Sequence, residues 1–271
     1  MHSLPVFDLS GKETGKISLP AAFSEKVRHD IIQKAVVAEA SKLRQPYGSD
    51  PLAGHRTSAH YHGMRHRKDT QMNREMSRMQ RIHGQGSLNM TARFVPQAVK
   101  GRKVNPPTAE KIWKLKINKK ERIKAIKSAL SATLDRSLVA KRGHMISDVR
   151  HVPLVLEDDF QKISRTAEVV KILEKLGFAD ELRRCGQKKV RAGRGKMRGR
   201  RYKLKKGPLV IIGKDEGVRK ALENIPGVDV SLSKELNVRS LAPGTHPGRL
   251  AIFTRAAIEE LKGLDSYGKA K

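Results

Sequence analysis

The chain has 271 residues, with 57 Lys and Arg against 27 Asp and Glu, a formal charge of +30 and a pI near 10.5. No apolar run is long enough for a membrane-spanning helix, and a single cysteine, Cys185, excludes an internal disulfide and a cysteine-built zinc site. An excess charge of this size opposes a compact state unless a polyanion neutralises it, and nucleic acid is the first candidate. The first residues lack a basic cap followed by an apolar stretch, so no secretory signal is expected, and the expected compartment is the reducing cytoplasm.

In chain order, the stretches from Val6 to Leu9 and from Ile17 to Leu19, around Gly11 and Gly15, read as a short hairpin. Ser24 can cap a helix running to about Lys42, with Val27, Ile31, Ala35 and Ala38 on one face and Pro46 as its stop. Residues 46–112 show no sustained periodicity. Asn118 followed by Glu121 is a capping-box pattern, and the helix after it carries Ile123, Ile126 and Leu130 on one side. Asp135 can start a short helix that Gly143 stops.

The run from Val152 to Leu156 has strand length. Thr166 can cap a helix with Val169, Val170, Leu173 and Leu176, closed by Gly177. Leu209 to Ile212 is strongly β-prone, and Asp215 can cap a helix with Val218, Ala221 and Leu222. Val228 to Val230 and Leu250 to Phe253 read as strands, and Thr254 caps a last helix with Ile258 and Leu261. Continuous apolar strands alternating with helices predict a parallel sheet covered on both faces. The expected fold class is α/β: a three-layer globular domain with a mostly parallel sheet of four core parallel strands, built from residues 1–45 and 113–271. Residues 46–112 form a long extended internal arm.

The charge is divided along this plan. Arg44 to Lys116 holds 15 basic and 4 acidic residues, and Arg183 to Lys206 holds 13 basic and no acidic ones. The rest of the chain carries only +6. An ordinary domain thus bears two cationic segments.

A structureless stretch as long as 46–112 is either functional or disordered. Its ends are a helix and a strand-like element of one domain, which makes it an out-and-back excursion that could reach some tens of ångströms, below about 100 Å. Its cations Arg65, Arg67, Lys68, Arg74, Arg78, Arg81 and Arg93 suit phosphates. Tyr61, Phe94, Trp113 and several histidines can stack on bases, although packing at the base of the arm is the expectation for Trp113. Lys114 and Lys116 alternate with Trp113, Leu115 and Ile117, giving one apolar and one cationic face.

Met72, Met76 and Met79 fall at i, i+4 and i+7, the spacing of a short helical stripe, which is either a soft apolar surface that adapts to many partners or, the favoured expectation, a small packing face against neighbouring protein or RNA. Gly84, Gln85 and Gly86 allow close backbone approach. His62 and His66, also at i, i+4, lack a carboxylate or Cys to complete a site, so no metal and no other cofactor is expected.

In the second segment, Arg191, Arg194, Lys196, Arg198, Arg200, Arg201, Lys203 and Lys205 alternate with glycines that let backbone press on phosphate. Gly193, Gly195 and Gly199 are one residue away from a dinucleotide fingerprint, but no apolar strand precedes them and no apolar helix follows. No phosphate-binding loop or nucleophile elbow is present in the sequence, and Cys185 has no identifiable His or Asn partner. No catalytic residue is expected. Three hypotheses remain at this level: a structural RNA binder, a free-standing RNA-binding regulator, and a nucleotide enzyme.

The run RAGRGKMRGRRYKLKKGPLVII, from Arg191 to Ile212, closely resembles a signature of the family of universal large-subunit ribosomal protein number four, in its archaeal and eukaryotic branch. LRQPYGSDPLAGHRTSA (Leu43 to Ala59), VPQAVKGRKVNPP (Val95 to Pro107), SALSATLDRSLVAKRGH (Ser128 to His144), NIPGVDV and LAPGTHPGRLAIFT extend the resemblance over nearly the whole chain. The short end after these motifs looks archaeal.

The resemblance implies a structural, non-catalytic constituent of the large ribosomal subunit. It implies an α/β domain on the outer surface and an internal arm running through ribosomal RNA to the wall of the peptide exit tunnel. Gly193, Arg194, Gly195, Lys196, Arg198, Arg200 and Arg201 would contact RNA, and Arg56, Thr57, Lys100, Gly101, Arg102 and Lys103 would form the base of the arm. The implied partners are large-subunit ribosomal RNA, neighbouring ribosomal proteins and, at the arm tip, the nascent chain. No membrane and no homo-oligomer are expected. One stretch departs from the family pattern, HYHGMRHRKDTQMNREMSRMQRIHGQG. The expectation there is a partly helical tip between about Arg65 and Arg93, with Met72, Met76, Met79, Gly84, Gln85 and Gly86 toward the tunnel.

Overall fold

A computed structural model describes residues 3–84 and 86–263. The strands are β1 (Ser3–Phe7), β2 (Glu13–Ser18), β3 (Leu154–Leu156), β4 (Lys189–Val190), β5 (Tyr202–Lys203), β6 (Leu209–Ile212), β7 (Asp229–Leu232) and β8 (Ala251–Thr254). The α-helices are α1 (His29–Ser41), α2 (Lys119–Ser131), α3 (Arg136–Lys141), α4 (Thr166–Leu173), α5 (Ala179–Gly186), α6 (Val218–Glu223), α7 (Val238–Leu241) and α8 (Arg255–Leu261). The chain divides into two compact units: Met1–Leu43 with Lys114–Lys271, and Arg44–Trp113.

The first unit is built on a six-stranded sheet in the order β2-β1-β3-β8-β6-β7. Only the β1–β2 pair is antiparallel. Five strands are therefore parallel, not four. β1 belongs to the expected hairpin but also pairs in parallel with β3, Val6 beside Val155 and Phe7 beside Leu156.

β3, β6 and β8 are buried at every position because helices cover both sheet faces. Alternate residues of β6 feed opposite layers: Leu209 and Ile211 join Phe23, Ile32, Leu130 and Phe253, whereas Val210 and Ile212 join Phe7, Phe160, Leu173 and Phe178. Neither cluster includes a residue between 44 and 113.

Several boundaries move for identifiable reasons. Ser24 does not cap α1; it ends a separate 3-10 turn. The helix begins at His29, four residues later than a Ser24 cap would start it, where the Arg28 N–H donates to Ser128 Oγ at 2.7 Å from across the fold. Its buried face is Ile32, Ala35, Val36 and Ala38. α2 starts at Lys119 without a capping bond from the Asn118 side chain. Asp135 caps α3 as expected, accepting from the Ser137 N–H at 2.9 Å.

Thr166 is the first residue of α4 rather than its cap. Gly177, at φ +88°, turns the chain into α5, which sequence reading missed because its Arg183, Arg184 and Cys185 had been counted with the cationic segment. A Cβ on Gly177 would collide with the Asp148 carbonyl. Thr254 stands at the cap of α8, but its hydroxyl accepts from the Gly213 N–H at 3.3 Å; Asp158 does the capping, accepting from the Ala256 N–H at 2.9 Å. Residues 113–117 form no strand, and Leu115 is exposed. The Ser41 hydroxyl at the end of α1 accepts from the Leu115 N–H at 3.0 Å, a clasp across 74 residues of chain.

The second unit is held differently. Among its described residues no hydrophobic side chain is buried; Thr70 and Gln71 are its buried residues. Outgoing and returning segments run side by side. The Ser49 N–H donates to the Pro107 carbonyl at 2.9 Å. Gly54, at φ +79°, lies where a Cβ would stand 2.5 Å from the Arg102 backbone. Arg81 bridges to both His60 and Ala92.

No helix forms between Arg65 and Arg93 among the described residues, so Met72, Met76 and Met79 make no helical stripe. Asp69 and Asn73 take left-handed backbone (φ 63° and 55°), which breaks a right-handed helix at its start. The buried Gln71 side chain instead accepts from the Met79 N–H at 3.0 Å and curls the segment.

Candidate nucleic-acid interface

The cationic run of the first unit is an ordered hairpin. β4 and β5 pair antiparallel, Lys189 with Lys203 and Val190 with Tyr202. Gly193 and Gly199, both at positive φ, flank a 3-10 turn at residues 194–196. The Arg191 guanidinium is spent inside the hairpin, donating to the carbonyls of Arg200 (3.0 Å) and Tyr202 (3.4 Å). Arg201 lies over the Tyr202 ring, 5.6 Å from its centroid. Arg194, Lys196, Arg198, Arg200 and Lys203 are exposed, with no side-chain hydrogen bond or ion pair to a described residue. Lys205 donates to Gln187 at 3.2 Å.

The root of the hairpin is closed by a network of hydrogen bonds. Buried Arg249 donates to the Gly207 carbonyl (2.9 Å), the Ser240 carbonyl (2.8 Å) and Asp229 Oδ2 (2.7 Å). Arg184 donates to Glu181 and to the Lys206 carbonyl, each at 2.7 Å. Glu181, fully buried, also accepts from the Met145 N–H at 3.0 Å and bonds His144 Nδ1 at 2.6 Å.

Burial pushes the Glu181 carboxyl upward, but Arg184, His144 and the Met145 N–H outweigh it and bring it down to about 2. Burial lowers the His144 imidazole in spite of Glu181, which favours the neutral ring. Its Nε2 is buried without a hydrogen-bond partner, as fits an unprotonated nitrogen. Both groups bind fewer protons folded than unfolded. Their contribution is complete above the ordinary histidine value and declines as the pH falls, first through His144 and then, from about 4.5 toward 2, through Glu181. Urea unfolding at pH 7, 5, 4 and 3 should show a growing loss, of which Glu181 alone contributes about 1 kcal/mol at pH 4 and about 2 kcal/mol at pH 3. Glu181→Gln should start less stable at pH 7 and flatten the acid limb; a profile as steep as the unmodified chain's would exclude this network as its cause.

Beside the hairpin an open groove of about 2010 Å³ is lined by Arg122, Lys141, Arg142, Lys189, Lys203 and Arg239 among others. Its carboxylates are committed: Asp229 bonds Arg249 and Lys206, Glu223 bonds Arg219, and Glu39 accepts from the Arg239 N–H. Arg142 donates to the carbonyls of Pro243 (2.7 Å) and His246, which joins two of the sequence motifs. Burial together with Arg249 and Arg184 lowers its pKa to about 10. Sequence reading assigned no role to Arg122, Arg142, Arg239 or Arg249, because their charges were averaged into a nearly neutral remainder. The signal was the placement of Arg142 and Arg249 inside long motifs.

In the second unit, Arg65, Arg67, Lys68, Arg74 and Arg78 are exposed, with no side-chain partner among the described residues. Lys100 and Lys103 are exposed as well. Others hold the unit together. Arg81 donates to the carbonyls of Met90 (2.8 Å) and Ser77 (3.0 Å), Arg93 to that of Val99 (2.6 Å), and Arg56 pairs with Asp50 at 2.5 Å. Arg102 stands 5.8 Å from the centroid of Phe94, whose ring meets His55 edge-on. Trp113 packs on Tyr47, with Arg44 4.8 Å from the centroid of its ring. Met72, Met76 and Met79 are half-buried; Gly84 and Gly86 are exposed; Gln85 lies outside the described residues.

A parallel α/β unit that holds an acid-free cationic hairpin on a hydrogen-bonded root, interrupted by a coreless cationic insertion, presents the kind of charge that a large polyanion neutralises. The chain belongs to the Ribosomal protein L4/L1 family, whose model matches residues 17–264. It is 41% identical over 265 residues to the large ribosomal subunit protein uL4 of Methanosphaera stadtmanae, covering 97% of this chain and 98% of the relative. It is 44% identical over 263 residues to that of Nanoarchaeum equitans (96% and 97%) and 42% identical over 261 residues to that of Methanopyrus kandleri (95% and 97%). No helix among the described residues is long and apolar enough to cross a membrane.

Proposed function

We propose that the chain is a structural constituent of the large ribosomal subunit in the cytoplasm. It binds large-subunit ribosomal RNA through the 189–203 hairpin, the adjoining groove and the exposed cations of 44–113. It supports assembly, carries out no catalytic step, and places the tip of its internal arm at the peptide exit tunnel, within reach of the nascent chain. The observation that carries the reading is the hairpin: thirteen cations and no acid between Arg183 and Lys206, with the tip side chains left free by a root that is fully bonded. Family membership supplies the identity of the polyanion.

The test is co-sedimentation. The protein should stay with large subunits through low-salt washes and leave only at high ionic strength, because each phosphate contact displaces counterions. A chain that is mostly free in extract, or that leaves at low salt, would overturn the reading.

The arm adds a second expectation. Deleting residues 60–95 should leave the first unit folded with a single cooperative transition, since neither core cluster draws on them. A broad, non-cooperative melt would show that the two units share a core.

A further inference from the structure

We propose that His60, His62 and His83 form a binding site for a zinc-class divalent metal ion in the second unit. One ligand atom from each ring lies within 4.8 Å of the others. The ring centroids are 4.3, 4.5 and 4.4 Å apart, with interplanar angles from 64° to 72°, so the three edges converge rather than stack.

The hydrogen bonds fix which nitrogens carry lone pairs. His60 Nδ1 is 2.9 Å from the Ser58 carbonyl, which can only accept, so the Nδ1–H donates and Nε2 is left with its lone pair. His83 Nε2 is 3.1 Å from the His60 carbonyl and donates in the same way, leaving Nδ1 as the free donor atom. That Nδ1 is buried and has no hydrogen-bond partner. A backbone carbonyl behind the His60 and His83 imidazoles is the arrangement that orients histidines toward metals. The backbone also fixes the positions: His60 and Arg81 exchange N–H···O bonds at 3.1 and 3.2 Å, and the His62 carbonyl accepts from the Gln71 N–H at 3.2 Å.

Three neutral nitrogens without carboxylate or thiolate suit Zn²⁺, and also Cu²⁺ or Ni²⁺, better than Mg²⁺ or Ca²⁺. Tetrahedral Zn–N bonds of about 2.0–2.1 Å place the nitrogens roughly 3.4 Å apart, so closure on the ion needs side-chain shifts of about an ångström. The fourth position stays open to water. Helical spacing pointed to His62 with His66, but in the absence of a helix the partners of His62 are His60 and His83. The site does not depend on the RNA reading.

The test titrates the full-length chain with ZnCl₂ and, separately, with CoCl₂. The expected result is one tight equivalent of Zn²⁺, and with Co²⁺ the intense visible bands of a low-coordinate site, bleached by added Zn²⁺. His62→Ala and His83→Ala should each lose that equivalent and those bands, and His66→Ala should keep both. Zinc-edge diffraction from assembled large subunits soaked in ZnCl₂ provides a second readout with the arm in place, expected to show a peak among the three rings. Indistinguishable titrations for the unmodified chain, His62→Ala and His83→Ala, or soaked particles with no peak there, would overturn the proposal.

Discussion

Replacing Arg198, Arg200 and Arg201 together by alanine is expected to weaken binding to large-subunit ribosomal RNA on the order of 100-fold near physiological salt, from three contacts of roughly 1 kcal/mol each. The slope of log K against log salt should become shallower by about two to three, since fewer counterions are released. All three residues are exposed, and neither Arg198 nor Arg200 makes a side-chain bond to a described residue. The melting temperature of the free protein should therefore stay within about 1–2 °C. Arg191→Ala is the informative contrast. Its guanidinium ties β5 to the hairpin's far side, so its loss should loosen the hairpin as well as reduce charge. Filter binding across a salt series distinguishes these outcomes. An unchanged affinity and slope for the triple variant would remove the hairpin from the interface.

The second large effect concerns the root. Arg249→Met should destabilise the first unit by about 3–5 kcal/mol, the cost of removing a buried guanidinium from a half-buried ion pair and stranding its carbonyl acceptors. The guanidinium satisfies the Gly207 and Ser240 carbonyls as well as Asp229, and methionine can replace only its volume. Asp229 keeps Lys206 at 2.9 Å, which places the effect toward the lower end. At roughly 2–4 °C per kcal/mol for a chain of this size, the melting temperature should fall by about 10 °C. Arg249→Lys should restore little, because an ammonium cannot reach three separated acceptors in the plane of a fork. A calorimetric shift below about 2 °C for Arg249→Met would contradict the assigned role.

The sheet and most of its helices could be read from the residues because they are local statements: four consecutive apolar residues at 209–212, a glycine at 177, an aspartate at 135. What could not be read is set by long-range bonds. The start of α1 depends on Ser128, the cap of α8 on Asp158, and the placing of β1 inside the parallel sheet on β3. The candidate interface was half legible. Charge counting finds the cationic segments but treats their arginines alike, whereas the fold spends Arg191 and Arg81 on backbone carbonyls and leaves Arg198 and Arg74 without a side-chain partner among the described residues. Within 44–113 periodicity misled, because backbone at Asp69 and Asn73 overrides the methionine spacing. The histidine cluster has no sequence signature, since His83 lies more than 20 residues from its partners and is brought beside them by the Arg81 bridge and its own bond to the His60 carbonyl.

The clasp between Ser41 and Leu115 has a consequence for how such an arm can vary. It closes the first unit without any contribution from the intervening chain. The entropy of closing a flexible loop grows only with the logarithm of its length, about 0.6 kcal/mol for a doubling. Lengthening, trimming or rewriting the insertion is therefore nearly neutral to the sheet that carries it. The length and sequence of residues 44–113 are thus set by something other than the sheet, and changes within 60–86 are ones the scaffold hardly feels.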